Sequence, residues 1–325
     1  MALSFSIPVM RLAVLAAAAV VSMSVSVSAH AYSQLVVFGD SLSDNGNANA
    51  LMQSSFGVTL PASPYFNGRF SNGPVAVEVM AASLGLTLVD YAYGGATTGL
   101  TSRITPLNAI ASTGIKGQVN SFTAGLSAAG KTADASALYV VWGGGNDFFS
   151  SPTYETAVTA ITNLTGEVLQ LYGAGAREFF IPLLPDLAYT AEAIKNGGAY
   201  QAGAHALSVG FNNGLTTAMN TLEGKLSGAN IRIFDTNSVL TTYRANLAAA
   251  GGNVTESCWT GNYLGAGTVC NNPDQYMLWD GVHPTAGVHA AVGQAMAAAV
   301  PEPEAIGMAL VGLIMVGALR RRQTV

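Results

Sequence analysis

Charge is scarce in this sequence. Only 10% of its 325 residues are Asp, Glu, Lys or Arg and 50% are hydrophobic, against about 25% charged in an ordinary soluble domain. Low charge alone suggests a membrane protein, but a spanning helix needs about 20 consecutive apolar residues. Only the two ends of the chain approach that. Between Tyr32 and Val300 stand 9 Lys/Arg and 16 Asp/Glu, and the uncharged stretches there are Gly, Ala, Ser, Thr and Asn. This argues against a polytopic membrane protein. The net charge of −7 over that segment excludes the phosphate-neutralising basic patch that drives nucleic-acid binding. No repeat and no linker divides these residues, and a stretch of about 270 can bury a full core in one domain.

Cysteine and histidine are equally rare. The only cysteines are Cys258 and Cys270, with no C-x-x-C or H-E-x-x-H nearby, so a metal site is weakly supported. In an exported chain they can instead pair, closing a 13-residue loop worth about 2 to 4 kcal/mol. After residue 31 the histidines are His205, His283 and His289. No G-x-S-x-G occurs, which disfavours the strained serine elbow of α/β-hydrolases. Gly125 to Thr132 fits G-x-x-x-x-G-K-[ST], but a phosphate loop needs a strand before it and a helix after it. Here the pattern is reversed.

The two apolar ends are addresses. Residues 1–31 carry one cation, Arg11, then an apolar run from Leu12 to Val27, and close on Ala29-His30-Ala31. This predicts a secretory signal cleaved before Tyr32. The far end, 300–325, reads Val300-Pro301-Glu302-Pro303, fifteen uncharged residues at 305–319, then Arg320-Arg321-Arg322. At about 1.5 Å per residue the apolar stretch covers about 23 Å, short of a hydrocarbon core of about 30 Å. The arginines would stay cytoplasmic, leaving the rest outside. The tail resembles the PEP-CTERM sorting signal that exosortase systems of Gram-negative bacteria remove. That resemblance implies export to the cell surface or medium, an exosortase-type processing partner, and membrane contact through the tail only. A plain single-span anchor is the alternative.

Five β-rich runs lie between these ends, at Gln34 to Phe38, Leu86 to Tyr91, Ala137 to Trp142, Glu178 to Leu183 and Asn230 to Phe234. Several are almost continuously apolar, as in strands covered on both faces. They alternate with helical stretches at Pro74 to Leu84, Tyr154 to Tyr172, Tyr200 to Leu226 and Ala286 to Ala299. The alternation predicts a parallel sheet between two helical layers. Arg244 to Met277, rich in Gly, Asn and Thr, reads as one loop over a rim. In such sheets ligands bind beyond the carboxyl ends of the strands.

The residues just beyond each strand are therefore informative. After the first strand stands Gly39-Asp40-Ser41-Leu42-Ser43-Asp44, after the second Asp90-Tyr91-Ala92-Tyr93-Gly94-Gly95, and after the third Gly143-Gly144-Gly145-Asn146-Asp147. Near the end stands Asp280-Gly281-Val282-His283, the only histidine with a carboxylate close in sequence. Nucleophilic acyl chemistry needs a hydroxyl, a base, a group that orients the base, and donors for an oxyanion. Each type is present at a strand end or rim loop.

Together with G-R-F-S-N-G at Gly68 to Gly73 and L-L-P-D-L after the fourth strand, these blocks resemble the GDSL esterase and lipase family, or SGNH hydrolases. The Arg-containing block resembles its plant-lipase-like branch. The resemblance implies a three-layer α/β/α sandwich with a central, mainly five-stranded parallel sheet over residues 32–299. It implies Ser41 as nucleophile, His283 as base and Asp280 as its orienter. The oxyanion hole would be the N–H groups of Ser41 and Gly95 and the side chain of Asn146. No cofactor or metal is implied. One departure stands out: the second block opens with Asp90 where the family has Asn, and a local structural effect is expected. The implied activity is hydrolysis of a carboxylic ester. A polysaccharide O-acetylesterase or acyltransferase is the alternative within the enzyme class, and an inert surface-binding or matrix protein the alternative outside it. Met52 to Phe66 and Arg244 to Met277 are expected to shape the pocket, and Arg69 is a candidate either for contact with an anionic substrate group or for a structural hydrogen bond.

Overall fold

The structure, a computed structural model, describes residues 32–300. The expected signal segment at 1–31 and the expected sorting tail from Pro301, with its apolar stretch at 305–319, lie outside the described residues. The strands form where the apolar runs are: β1 Leu35–Gly39, β2 Leu88–Asp90, β3 Leu138–Trp142, β4 Glu178–Pro182 and β5 Asn230–Phe234. All pair in parallel, in the order β2-β1-β3-β4-β5. Side chains alternate across a strand, so Val36, Phe38, Tyr139, Val141 and Phe179 enter one apolar layer while Leu35, Val37, Leu138, Val140 and Phe180 enter another.

The helices are α1 Asn47–Phe56, α2 Ala76–Leu84, α3 Ile115–Ala128, α4 Gly145–Ser150, α5 Tyr154–Ala174, α6 Ala191–Asn196, α7 Gly198–Glu223, α8 Thr236–Ala249 and α9 Ala286–Ala298. Apolar faces of α3, α5 and α7 cover the first layer; those of α2, α8 and α9 cover the second. In α5 the buried Ala157, Ala160, Leu164, Val168 and Leu171 recur every three or four residues, the stripe that seats a helix on a sheet. Thr153 begins that helix by accepting the Thr156 N–H at 3.1 Å, and Gly175 ends it. The result is the expected three-layer α/β/α sandwich on a five-stranded parallel sheet. Among the described residues no helix is long and apolar enough to cross a membrane.

The expected single loop from Arg244 to Met277 is corrected. Its start is the second half of α8, and β6 Asn253–Ser257 pairs in parallel with β7 Tyr276–Leu278. The sequence of β6, Asn-Val-Thr-Glu-Ser, has little to bury, so its position depends on pairing and on the Cys258–Cys270 disulfide directly after it. With both cysteines bonded to each other, a metal site built on them is ruled out. Strand order places the chemistry: from β1 the chain moves outward to β2 and then back across to β3, so the carboxyl ends of β1 and β3 diverge into a crevice.

Candidate active site

On leaving β1 the chain turns at once. Asp40 accepts the Leu42 N–H on Oδ1 at 3.0 Å, while its carbonyl accepts the N–H groups of Ser43 and Asp44 at 3.0 and 2.9 Å. This turn holds Ser41 at the sheet's rim with only 7% of its surface exposed. Asp44 is fully buried and accepts four backbone N–H groups: Gly46 (2.8 Å), Asn47 (2.6 Å), Ala48 (3.2 Å) and Gly94 (2.7 Å). Three of these belong to the start of α1, where N–H groups lack partners within the helix. The fourth belongs to the loop after β2. One carboxylate thus ties the serine turn to the loop of Gly94 and Gly95. Burial pushes both Asp40 and Asp44 up to about 6, against the pull of their N–H donors.

The oxyanion candidates converge from three strands. A side chain on Gly94 would collide with the ring of Phe70, and Gly95 has φ +74°, a left-handed conformation that suits glycine. Among the described residues, the N–H groups of Ser41 and Gly95 have no acceptor. Asn146, in the first turn of α4, donates from Nδ2 to the carbonyl of Ala96 at 3.0 Å, with Asp40 Oδ2 at 3.4 Å. Its amide is thereby fixed to the loop that carries Gly95. Asp90 accepts the N–H groups of Ala92 (2.8 Å) and, in the block that carries Ser41, of Asn45 (3.2 Å), and burial pushes its carboxyl well up.

Across the crevice, β7 leads into a short loop before α9. His283 Nε2 lies 2.8 Å from Ser41 Oγ, and its Nδ1 lies 2.8 and 2.9 Å from the two oxygens of Asp280. A carboxylate can only accept, so the ring proton sits on Nδ1 and Nε2 is left to accept the serine hydroxyl. Burial opposes the charge on Asp280. The adjacent His283, and hydrogen bonds from it, from Tyr65 and from the Val282 N–H, outweigh that and hold the carboxyl below its usual range. The Tyr65 hydroxyl donates to Oδ2 at 2.6 Å. Its ring packs among Phe70, Trp259, Tyr263 and Trp279.

The Gly68 to Gly73 block supports this loop. The Phe70 ring lies against His283, with centroids 5.3 Å apart. Ser71 Oγ donates to the carbonyl of Pro284 at 2.9 Å, and Asn72 Oδ1 accepts the Ala286 N–H that opens α9, at 2.7 Å. Arg69 pairs with Glu78 at 2.7 Å, the structural one of its two expected roles. The other histidines do not reach Ser41: His205 pairs with Asp186 at 2.6 Å, and buried His289, which lines the same cleft, accepts the Ala76 N–H on Nδ1. Burial and the nearby His283 push His289 down to about 3, which keeps it neutral.

A cleft of about 310 Å³ opens over Ser41, Gly95, Asn146 and His283. Its walls correct the expectation about loops. Tyr263, Arg244 and Met277 line it, but Met52 to Phe66 contribute nothing, and the segment from Leu184 to Glu192 does much of that work. The L-L-P-D-L block marks the start of that segment, but its place on the cleft wall depends on the helices that pack beside it. Tyr65 was missed for a similar reason, standing 215 residues from the carboxylate it holds.

The profile of the family described as GDSL-like Lipase/Acylhydrolase matches residues 35–296. The chain belongs to that family. A GDSL esterase/lipase of Arabidopsis thaliana is 27% identical to it over 77% of this chain and 78% of the relative. The thermolabile hemolysin of Vibrio parahaemolyticus is 29% identical, over 81% of this chain and 63% of the hemolysin. The phosphatidylcholine-sterol acyltransferase of Aeromonas hydrophila is 28% identical, over 81% and 89%. As a member of this family the chain is an ester-bond hydrolase.

Proposed function

We propose that the chain cleaves carboxylic esters through an acyl-enzyme on Ser41. Ser41 Oγ attacks the ester carbonyl as His283 Nε2 takes its proton. The Nδ1 proton stays on the ring, facing an ionised Asp280 that stabilises the imidazolium. The carbonyl oxygen, now negative, takes hydrogen bonds from the Ser41 and Gly95 N–H groups and Asn146 Nδ2. When the tetrahedral species collapses, the carbonyl–alkoxide bond breaks and His283 returns the proton to the leaving oxygen. Water then repeats the sequence to free the acid.

The observation that carries this reading is the 2.8 Å approach of His283 Nε2 to Ser41 Oγ beside two N–H groups without acceptors. The same acyl-enzyme can pass its acyl group to an alcohol, a second reading favoured by the name of the Aeromonas relative. The test is hydrolysis of p-nitrophenyl esters by the wild type and Ser41→Ala. The variant should lose at least about 10³-fold in kcat with an unchanged circular dichroism spectrum. Equal rates would remove Ser41 from the mechanism. New ester formed from an added alcohol in the same assay would favour transfer.

A further inference from the structure

In the proposed mechanism His283 returns its proton to the leaving oxygen, so the alcohol part of the ester lies on the histidine side of the cleft, away from the oxyanion donors. Three polar side chains, Tyr263, Glu192 and Arg103, line the cleft from separate elements. Tyr263 stands inside the loop closed by Cys258 and Cys270, its ring 6.2 Å from the His283 ring and 5.4 Å from that of Phe70. Its carbonyl accepts the Ala62 N–H at 2.8 Å, which ties the loop down beside the base. Glu192, in the first turn of α6, donates its N–H to the carbonyl of Gly281 at 2.9 Å, so that helix is docked on the turn between Asp280 and His283. Arg103 donates its N–H to the carbonyl of Gly95 at 2.8 Å and holds its guanidinium over the Phe149 ring, 5.1 Å from the centroid.

These three side chains are set apart from the rest of the cleft by having nothing to bond. The ion pairs among the described residues are Arg69–Glu78, His205–Asp186 and His283–Asp280, and neither Arg103 nor Glu192 is in any of them. The other charged wall is already engaged: Asp186 accepts the Ala188 N–H and pairs with His205, while Arg244 lies over Tyr189 and donates from Nε to the Met277 sulfur. Burial, then the Asp280 carboxylate, push the Tyr263 hydroxyl well up, with Arg103 pulling it down and Glu192 adding to the rise. The hydroxyl therefore keeps its proton as a donor, and both charges stand close enough to act on it.

We propose that Tyr263, Glu192 and Arg103 form a subsite for the alcohol part of the ester, and that this part carries free hydroxyl groups, as in a polyol or a sugar; the inference rests on Ser41 as nucleophile. A phenol donates to a hydroxyl oxygen, a carboxylate accepts from hydroxyls, and a guanidinium donates in a fork. The single positive and single negative charge cancel, so a neutral polyhydroxyl group is favoured over an anionic one. A simple alkanol would displace water from all three groups and return no hydrogen bond, which is costly.

The test compares butyryl esters of ethanol, methyl glucoside, glycerol and glycerol phosphate, with the wild type, Tyr263→Phe, Glu192→Ala and Ser41→Ala. Phenylalanine keeps the ring contacts of Tyr263, and alanine keeps the Cβ of the exposed Glu192. The readout is kcat/KM for the methyl glucoside ester divided by that for the ethyl ester. In the wild type this ratio should exceed about ten, and it should fall about fivefold in Tyr263→Phe and about tenfold in Glu192→Ala, the usual cost of a neutral and of a charged hydrogen bond. With Ser41→Ala inactive, three results would each overturn the subsite alone: a wild-type ratio of one or less, a ratio unmoved in both variants even if both esters slow together, or a preference for the glycerol phosphate ester over the glycerol ester. Full activity in Ser41→Ala would overturn the subsite together with the reading beneath it.

Discussion

On the serine side of the cleft, Asp40 and Asp44 gather backbone N–H groups from the turn after β1, the start of α1 and the loop after β2. On the histidine side, Asp280 accepts the N–H groups of Val282 and His283 and, unlike the other two, is also held by two side chains, the His283 ring and the Tyr65 hydroxyl, within a nest of aromatic rings. The first arrangement fixes where N–H donors point and tolerates little change in backbone. The second fixes one ring and one carboxylate and depends on residues far apart in sequence. In the proposed mechanism, oxyanion stabilisation would therefore belong to a backbone cradle, and base orientation to a packed cluster.

The largest effect expected from breaking this contrast is on the donor side. Asn146→Ala should lower kcat by about 10²- to 10³-fold with little change in KM, the usual cost of one oxyanion donor. Steady-state kinetics decide it, and a loss confined to KM would place Asn146 in ground-state binding instead.

The two sides should also respond oppositely to pH. Asp40 and Asp44 sit at about 6 when folded, above the unfolded value of about 3.9. Between those values the folded chain holds more protons than the unfolded one. Their contribution to stability thus falls as pH rises through that window and levels off above it. Asp280 is held low, so its contribution is complete above the unfolded value and is lost only as pH falls through the folded one. Urea unfolding at pH 4.5 and 7 should show the chain more stable at the lower pH, by on the order of 3 kcal/mol. A flat or inverted profile would contradict the buried, proton-holding pair.

The smallest expected effect lies on the histidine side. Tyr65→Phe removes one hydrogen bond to a charged acceptor, worth about 1.5 kcal/mol. It should lower kcat about tenfold at constant KM, because the rest of the cluster still holds Asp280. Unchanged kcat would mean that Tyr65 only fills space.

The same contrast governs what the sequence makes legible. Ser41, Asn146 and Gly95 come after strands whose apolar runs are plain, and His283 has its carboxylate three residues away, so the whole constellation can be anticipated. Asp44 stands in the same block as Ser41, yet nothing local says that it reaches Gly94 across 50 residues. Helices α3 and α8 are rich in Ser, Thr and Asn, residues that favour caps and turns as readily as helix interiors. β6 is held by a partner strand and a disulfide, and an alternating pattern is therefore missing. The residues that hold the site in place are set by tertiary packing, which leaves no periodicity to read.

The 242 residues between Ser41 and His283 have a consequence for synthesis. A ribosome makes the nucleophile early and its base near the end, and contacts of such long range form late in folding. Until the loop before α9 is in place, Ser41 Oγ lacks its 2.8 Å partner, His283 Nε2. On the proposed mechanism, a growing chain is therefore chemically silent until its C-terminal region has folded into place.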